Sequence, residues 1–175
     1  MNRYLIRIKK SNKDPKLLLQ ELRRIFKRVG NMRVSSEALE FDLFSNGKEE
    51  EIRKIIEFYG EVITFRKLGG SLKGDLKKVK ELFKEERFWE VHEVLEEIWR
   101  EEKGDRRETL QGLILFAAAL VHYQRGEVKL SLFERALNKI KVNIEEINIE
   151  EVKEEIKRII DKKEVDLARI KKLFR

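Results

Sequence analysis

The chain has 175 residues, 42% of them charged and 41% hydrophobic, with a formal net charge of +7 and no cysteine. That length suits one ordinary domain or two small ones. The missing cysteines exclude disulfides, thiolate zinc sites and cysteine nucleophiles together.

Period-two alternation opens the chain, with Tyr4, Ile6 and Ile8 against Arg7 and Lys9, and it predicts a strand. Asp14 and Pro15 then offer a helix cap and a first-turn proline, followed by Leu18, Leu22, Ile25 and Val29 at helical spacing. Met32 and Val34, a turn at Ser35-Ser36-Glu37, and Leu39, Phe41 and Leu43 read as a hairpin. Ser45-Asn46-Gly47 offers a cap for a second helix carrying Ile52, Ile55, Ile56 and Tyr59. Gly60 ends that helix, and Val62 to Phe65 reads as a last strand. The order βαββαβ over residues 1–68 is that of a ferredoxin-like sandwich. Its sheet is expected to leave Arg7, Lys9, Arg33, Glu40, Asp42, Thr64 and Arg66 on an open face. That face lacks the stacking aromatics of a single-strand RNA reader.

Residues 69–75, with Gly69, Gly70 and Gly74, read as a linker. From residue 76 to 175 every periodicity is helical, so the expected class is α+β with two domains, the second an all-α helical bundle. Six helices are expected. The third, from Arg107 to Arg125, is apolar nearly all round and should run through the bundle centre.

The chemistry-bearing residues concentrate in two of these helices. Phe88 to Trp99 reads FWEVHEVLEEIW, and at 100° per residue Phe88, His92, Leu95 and Trp99 share one arc with Glu96 at its edge. Glu93, Glu97 and Arg100 are expected to face solvent. On the next helix Gln111, Leu115, Ala118 and His122 form a second stripe. If the stripes face one another, two imidazoles, a carboxylate, an amide and an indole converge.

FWEVHEVLEEIW, then Arg106-Arg107, then LQGLILFAAALVHYQRG resembles domain-of-unknown-function family three-hundred-and-nine, with its His-x-x-x-Glu-x-x-Trp signature. The resemblance spans roughly Leu76 to Ile140. By it His92, Glu96, Trp99, Gln111, Gly112 and His122 fall on signature positions. It implies an all-helical bundle of bacterial or archaeal origin and no assigned activity. Where the family often has Asn after Gly126, this chain has Glu127.

Three readings of the cluster stay open. One is a buried, hydrogen-bonded structural network. Another is a divalent metal held by His92, Glu96 and His122, with a bound water for hydrolysis. The third is a metal-free small-ligand or acid–base site, with His92 tuned by Glu96 and with Trp99, Trp89 and Gln111 contacting the ligand. Catalytic candidates under the last two are His92, Glu96 and His122.

Charge is uneven: residues 1–70 hold 16 Lys/Arg against 10 Asp/Glu, whereas residues 71–175 hold 24 against 23. Arg23, Arg24, Lys27 and Arg28 could follow a nucleic-acid backbone. A solvated surface of thermophilic type explains the same charges and is the preferred expectation. The open sheet face or an edge strand also offers a route to a homo-oligomer. The longest apolar run, Leu113 to Val121, is too short to span a bilayer, and MNRYLIRIKK lacks a signal-peptide pattern. A cytoplasmic location without a membrane partner is the expectation.

Overall fold

A computed structural model describes residues 1–175 and divides into two compact units, Met1–Gly70 and Ser71–Arg175. The class is α+β: an antiparallel five-stranded sheet in the first unit, and eight helices over the whole chain. No helix is long and apolar enough to cross a membrane.

In the first unit, strand β1 (Asn2–Lys9) lies between β4 (Ala38–Ser45) and β5 (Val62–Leu68), antiparallel to both. Tyr4 sits opposite Leu43, and Ile6 opposite Phe41. Alternate side chains of a strand share a face. Tyr4, Ile6, Ile8, Phe41 and Leu43 are therefore buried together against Leu18 and Leu22 of α1 (Pro15–Ile25) and Ile52 and Ile56 of α2 (Glu49–Glu57). Burying each such side chain contributes about 1.5–3 kcal/mol.

Two local expectations change. The helical spacing through Val29 does not persist, because α1 closes at Ile25, which is 48% exposed, and Phe26 turns into the core instead. Val29 then belongs to β2 (Arg28–Val29), which with β3 (Arg33–Val34) pairs along β4. The expected single strand at Met32–Val34 is thus two short strands, with Gly30 N–H donating to the Asp42 carbonyl at 2.8 Å between them. Ser45-Asn46-Gly47 does not cap α2 either. Ser45 ends β4 and its Oγ accepts from Gly47 N–H at 3.0 Å, while α2 starts at Glu49 without a side-chain cap. Glu49, Glu50 and Glu51 in its first turn complement the helix dipole.

The larger correction concerns the sheet face expected to be open. Arg7, Arg33, Glu40 and Asp42 are buried, Arg33 at 1% exposure. Arg33 Nε donates to Glu40 Oε1 at 2.6 Å and Nη1 to Asp42 Oδ2 at 3.3 Å. Arg7 lies 3.5 Å from Glu40, and Arg3 Nη2 donates to Asp42 at 3.2 Å. Alternation of charge with apolar residues signals a strand but cannot say whether the charged side meets water. Here strand register sets opposite charges against one another, with Arg7 opposite Glu40 and Arg33 opposite Glu40.

The second unit is wholly helical apart from an isolated bridge at Ile144 and Ile147: α3 (Leu76–Lys84), α4 (Phe88–Glu101), α5 (Gly104–Gln124), α6 (Leu130–Lys139), α7 (Ile149–Lys162) and α8 (Leu167–Leu173). Asp75 caps α3, Asn148 caps α7 and Asp166 caps α8 through side-chain oxygens. α5 begins earlier than its apolar pattern suggests, because Gly104 to Arg107 add a polar first turn. It packs on α4 and α6, with Leu110, Leu113, Phe116, Ala117 and Leu120 buried. Gly112 permits the α5–α6 approach: a Cβ there would lie 2.5 Å from Ile140 Cγ1 and 2.9 Å from the Ala136 carbonyl. Glu86, at φ +56°, holds the α3–α4 turn. Its carbonyl accepts from Gln124 Nε2 at 2.8 Å, and its carboxylate meets Lys171 at 3.0 Å.

Candidate functional site

Two residues, Glu102–Lys103, join α4 to α5, and the two helices pack along one another as a helical hairpin. Two cross-contacts set its register. Arg107 lies over the Trp99 ring at 4.0 Å near the connection, and Gln124 reaches Glu86 at the far end. His92 is therefore level with the Leu115–Ala118 turn of α5. His122 is level with the Lys84–Phe88 stretch, four to eight residues or about 6–12 Å further along the axis.

His92, Glu96, Trp99, Gln111 and His122 are all half-buried, not sealed in the interior. So is Trp89. The apolar arcs of α4 and α5 bury Val91, Leu95, Leu110 and Leu113, which leaves the polar residues on the shoulders of the contact. The expectation of a buried network is corrected accordingly. Burial needs a third element over the shoulder, and the periodicity of two helices carries no information about one.

The imidazole of His92, 27% exposed, lies between two carboxylates. Nδ1 is 3.4 Å from Glu93 Oε1 and Nε2 is 3.8 Å from Glu96 Oε1. Glu93 is half-buried beside the ring instead of facing solvent, since its side chain is long enough to fold across 100° of helix. One ligand atom each from His92, Glu93 and Glu96 lies within 4.8 Å of the others. His122 stands outside that group. Its Nδ1 faces Glu127 Oε2 at 3.8 Å. Burial, then Lys129 and Arg125, pushes the His122 pKa below the usual imidazole value, against the pull of Glu127.

At the other end of the hairpin, the buried indole N–H of Trp99 meets no acceptor. Arg107 has no carboxylate within ion-pair distance, and its Nη1 donates at 3.4 Å to the Glu102 carbonyl. Its neighbour Arg106 is paired with the Glu102 carboxylate and with Glu145 at 3.6 Å. Helical spacing alone assigns no role to Arg107. An arginine eight residues after a tryptophan, across a two-residue connection, is the cue that could have found it.

Among the four basic residues singled out in the first unit, Arg23 donates to the Val29 carbonyl at 3.3 Å and to Asn31 at 3.2 Å, and Arg28 stacks over Phe44 at 4.4 Å. Arg24 and Lys27 are exposed.

These features define a helical domain with a polar shoulder of histidine, glutamate, tryptophan and arginine. Residues 76–132 match the family model described as Domain of unknown function (DUF309), and the helical unit belongs to that family. The chain is also similar to a conserved hypothetical protein from Thermus thermophilus, known from a crystal structure. The two are 30% identical over 51% of this chain and 99% of that one, with a TM-score of 0.45. No curated protein matches the chain.

Proposed function

We propose that the helical unit binds a divalent cation through His92, Glu93 and Glu96 of α4. The observation that carries this reading is the convergence of one imidazole and two carboxylates within 4.8 Å. Two ligand atoms about 2.1 Å from a tetrahedral ion stand about 3.4 Å apart; an imidazole binds one ion through one nitrogen, and with Nδ1 as that ligand atom the His92–Glu93 separation is 3.4 Å. A mixed nitrogen and oxygen set suits zinc or manganese better than calcium. Bound there, the ion would act as a Lewis acid and lower the pKa of a coordinated water. His122 remains a candidate to approach from α5. Its lowered pKa keeps it neutral near pH 7 and able to accept a proton.

Elemental analysis and calorimetric titration with zinc and manganese test the site. Wild type should take up about one ion, and Glu96→Gln should weaken uptake by about tenfold or more. Equal uptake by wild type and a His92→Gln, Glu93→Gln, Glu96→Gln triple variant would overturn the assignment.

For the architecture, we infer a ferredoxin-like sandwich followed by a helical bundle. The antiparallel order β2-β4-β1-β5 with both helices interleaved supports the first, and the shared core of α3 to α8 supports the second. Nucleic-acid binding through Arg23, Arg24, Lys27 and Arg28 has less support, since two of the four are already engaged within the unit.

A further inference from the structure

We propose that the Trp99–Arg107 end of the α4–α5 hairpin binds a small oxyanion, a carboxylate or a phosphate, with the Arg107 guanidinium and the Trp99 indole N–H as its donors. This goes beyond the cation reading and does not rest on it.

Charge first points there. The chain carries 33 acidic residues, and the arginines around Arg107 are taken: Arg100 pairs with Glu97, and Arg106 with Glu102 and Glu145. Arg107 is half-buried and has no carboxylate partner. A guanidinium presents five N–H donors in a planar fork that matches carboxylate and phosphate oxygens. Holding its carbon 4.0 Å over the Trp99 ring orients that fork while leaving most of its donors free.

The second observation is independent of Arg107. A buried indole N–H without an acceptor is uncommon, because an unmade hydrogen bond there costs about 1–3 kcal/mol. Trp99 Nε1 is such a donor. Gln111, half-buried one turn beyond Arg107 on α5, adds an amide that can donate to the same guest. Two kinds of donor on facing helices, an indole N–H without an acceptor and a guanidinium with only one long bond to a carbonyl, are complementary to a group made only of acceptors. The carboxylates at the His92 end would repel that group, so they confine it to the Arg107 end of the hairpin.

The chain has two tryptophans, so nitrogen-15 spectra of the full protein carry two indole N–H signals. Trp89→Phe assigns the one from Trp99. Inorganic phosphate and acetate are titrated separately in the presence of a chelator, with sodium chloride at matched ionic strength as control. The Trp99 signal should move saturably with one or both anions and stay put with chloride, and the arm that moves it identifies the source. Arg107→Gln should weaken the response about tenfold. Arg107→Lys covers the case of a glutamine variant that does not fold; it should weaken binding severalfold through loss of the fork. No saturable shift beyond chloride, or unchanged affinity in either Arg107 variant, would overturn the proposal. Because the chelator removes metal, failure of the cation site leaves this result intact, and the converse also holds.

Discussion

The sheet face of the first unit and the α4–α5 shoulder of the second both gather opposite charges, yet they differ in how the charges are matched. On the sheet, Arg33 is buried with a carboxylate on two of its nitrogens, and Arg7 and Arg3 serve the same two acids. Burial works against the Arg33 charge, but Glu40 and Asp42 outweigh it and raise the arginine pKa above its usual value. On the shoulder, one imidazole faces two carboxylates, Arg107 has no carboxylate partner and the Trp99 indole N–H has no acceptor. Matched and buried charge specifies packing, whereas unmatched and half-exposed charge is available to a guest.

The two regions should differ most at Arg33. Removing one member of a buried ion network strands the others, at a cost of about 3–5 kcal/mol. Arg33→Ala should therefore lower the denaturant midpoint of the first unit sharply, as followed by circular dichroism. A loss below about 1 kcal/mol would mean that the ion network of the sheet is wet and energetically no different from the shoulder.

A packing control calibrates that loss in the second unit. Gly112→Ala must push Ile140 and the α6 backbone away, since the added Cβ would sit 2.9 Å from the Ala136 carbonyl. Overpacking costs about 1–3 kcal/mol, offset in part by the better helix propensity of alanine, about 1 kcal/mol. A net fall in melting temperature is expected. Ile140→Ala in the same chain should recover part of it, and a stabilised single variant would show that α5 and α6 are not in close contact.

Legibility in the sequence follows the range of the forces involved. Strand alternation at Tyr4–Ile8 and helical stripes at Val91, Leu95 and Leu113 are local, and they place the sheet and the α4–α5 hairpin. Where one core position could be filled by two neighbours, as with Ile25 and Phe26, spacing chose the wrong one, because only the tertiary fit decides. Burial of the Arg33 face depends on charge pairs that strand register creates, with Glu40 and Asp42 seven and nine residues away from Arg33. The His92–Glu96 approach is a single-helix property and was readable. Glu93 joined them through side-chain flexibility, and Arg107 through the hairpin connection, neither of which a helical wheel represents.

A smaller effect is expected at His92. Its contacts with Glu93 and Glu96 at 3.4 and 3.8 Å are partly exposed, and polar contacts of that kind contribute about 0–1 kcal/mol. His92→Gln should shift the denaturant midpoint of the metal-free protein by no more than about 0.5 kcal/mol. A loss comparable to that of Arg33→Ala would make the shoulder a structural network like the one on the sheet.

The smallest effect concerns pH and His122. Its folded pKa lies below the ordinary imidazole value, first because it is partly buried and then because Lys129 and Arg125 oppose a second positive charge. In the window just below that ordinary value, about 6.5, the unfolded chain binds the proton more readily than the folded one, so stability rises with pH. The contribution is fully present above the window and is lost as pH falls through the folded pKa. Between about pH 7.5 and about pH 5, wild type should thus lose slightly more stability than His122→Gln, read as the difference in urea midpoints. The reverse slope would mean that Glu127, 3.8 Å away, holds the imidazolium more firmly than the lysine and arginine repel it. His122 would then be a matched charge like Arg33, and the shoulder would lose its neutral proton acceptor.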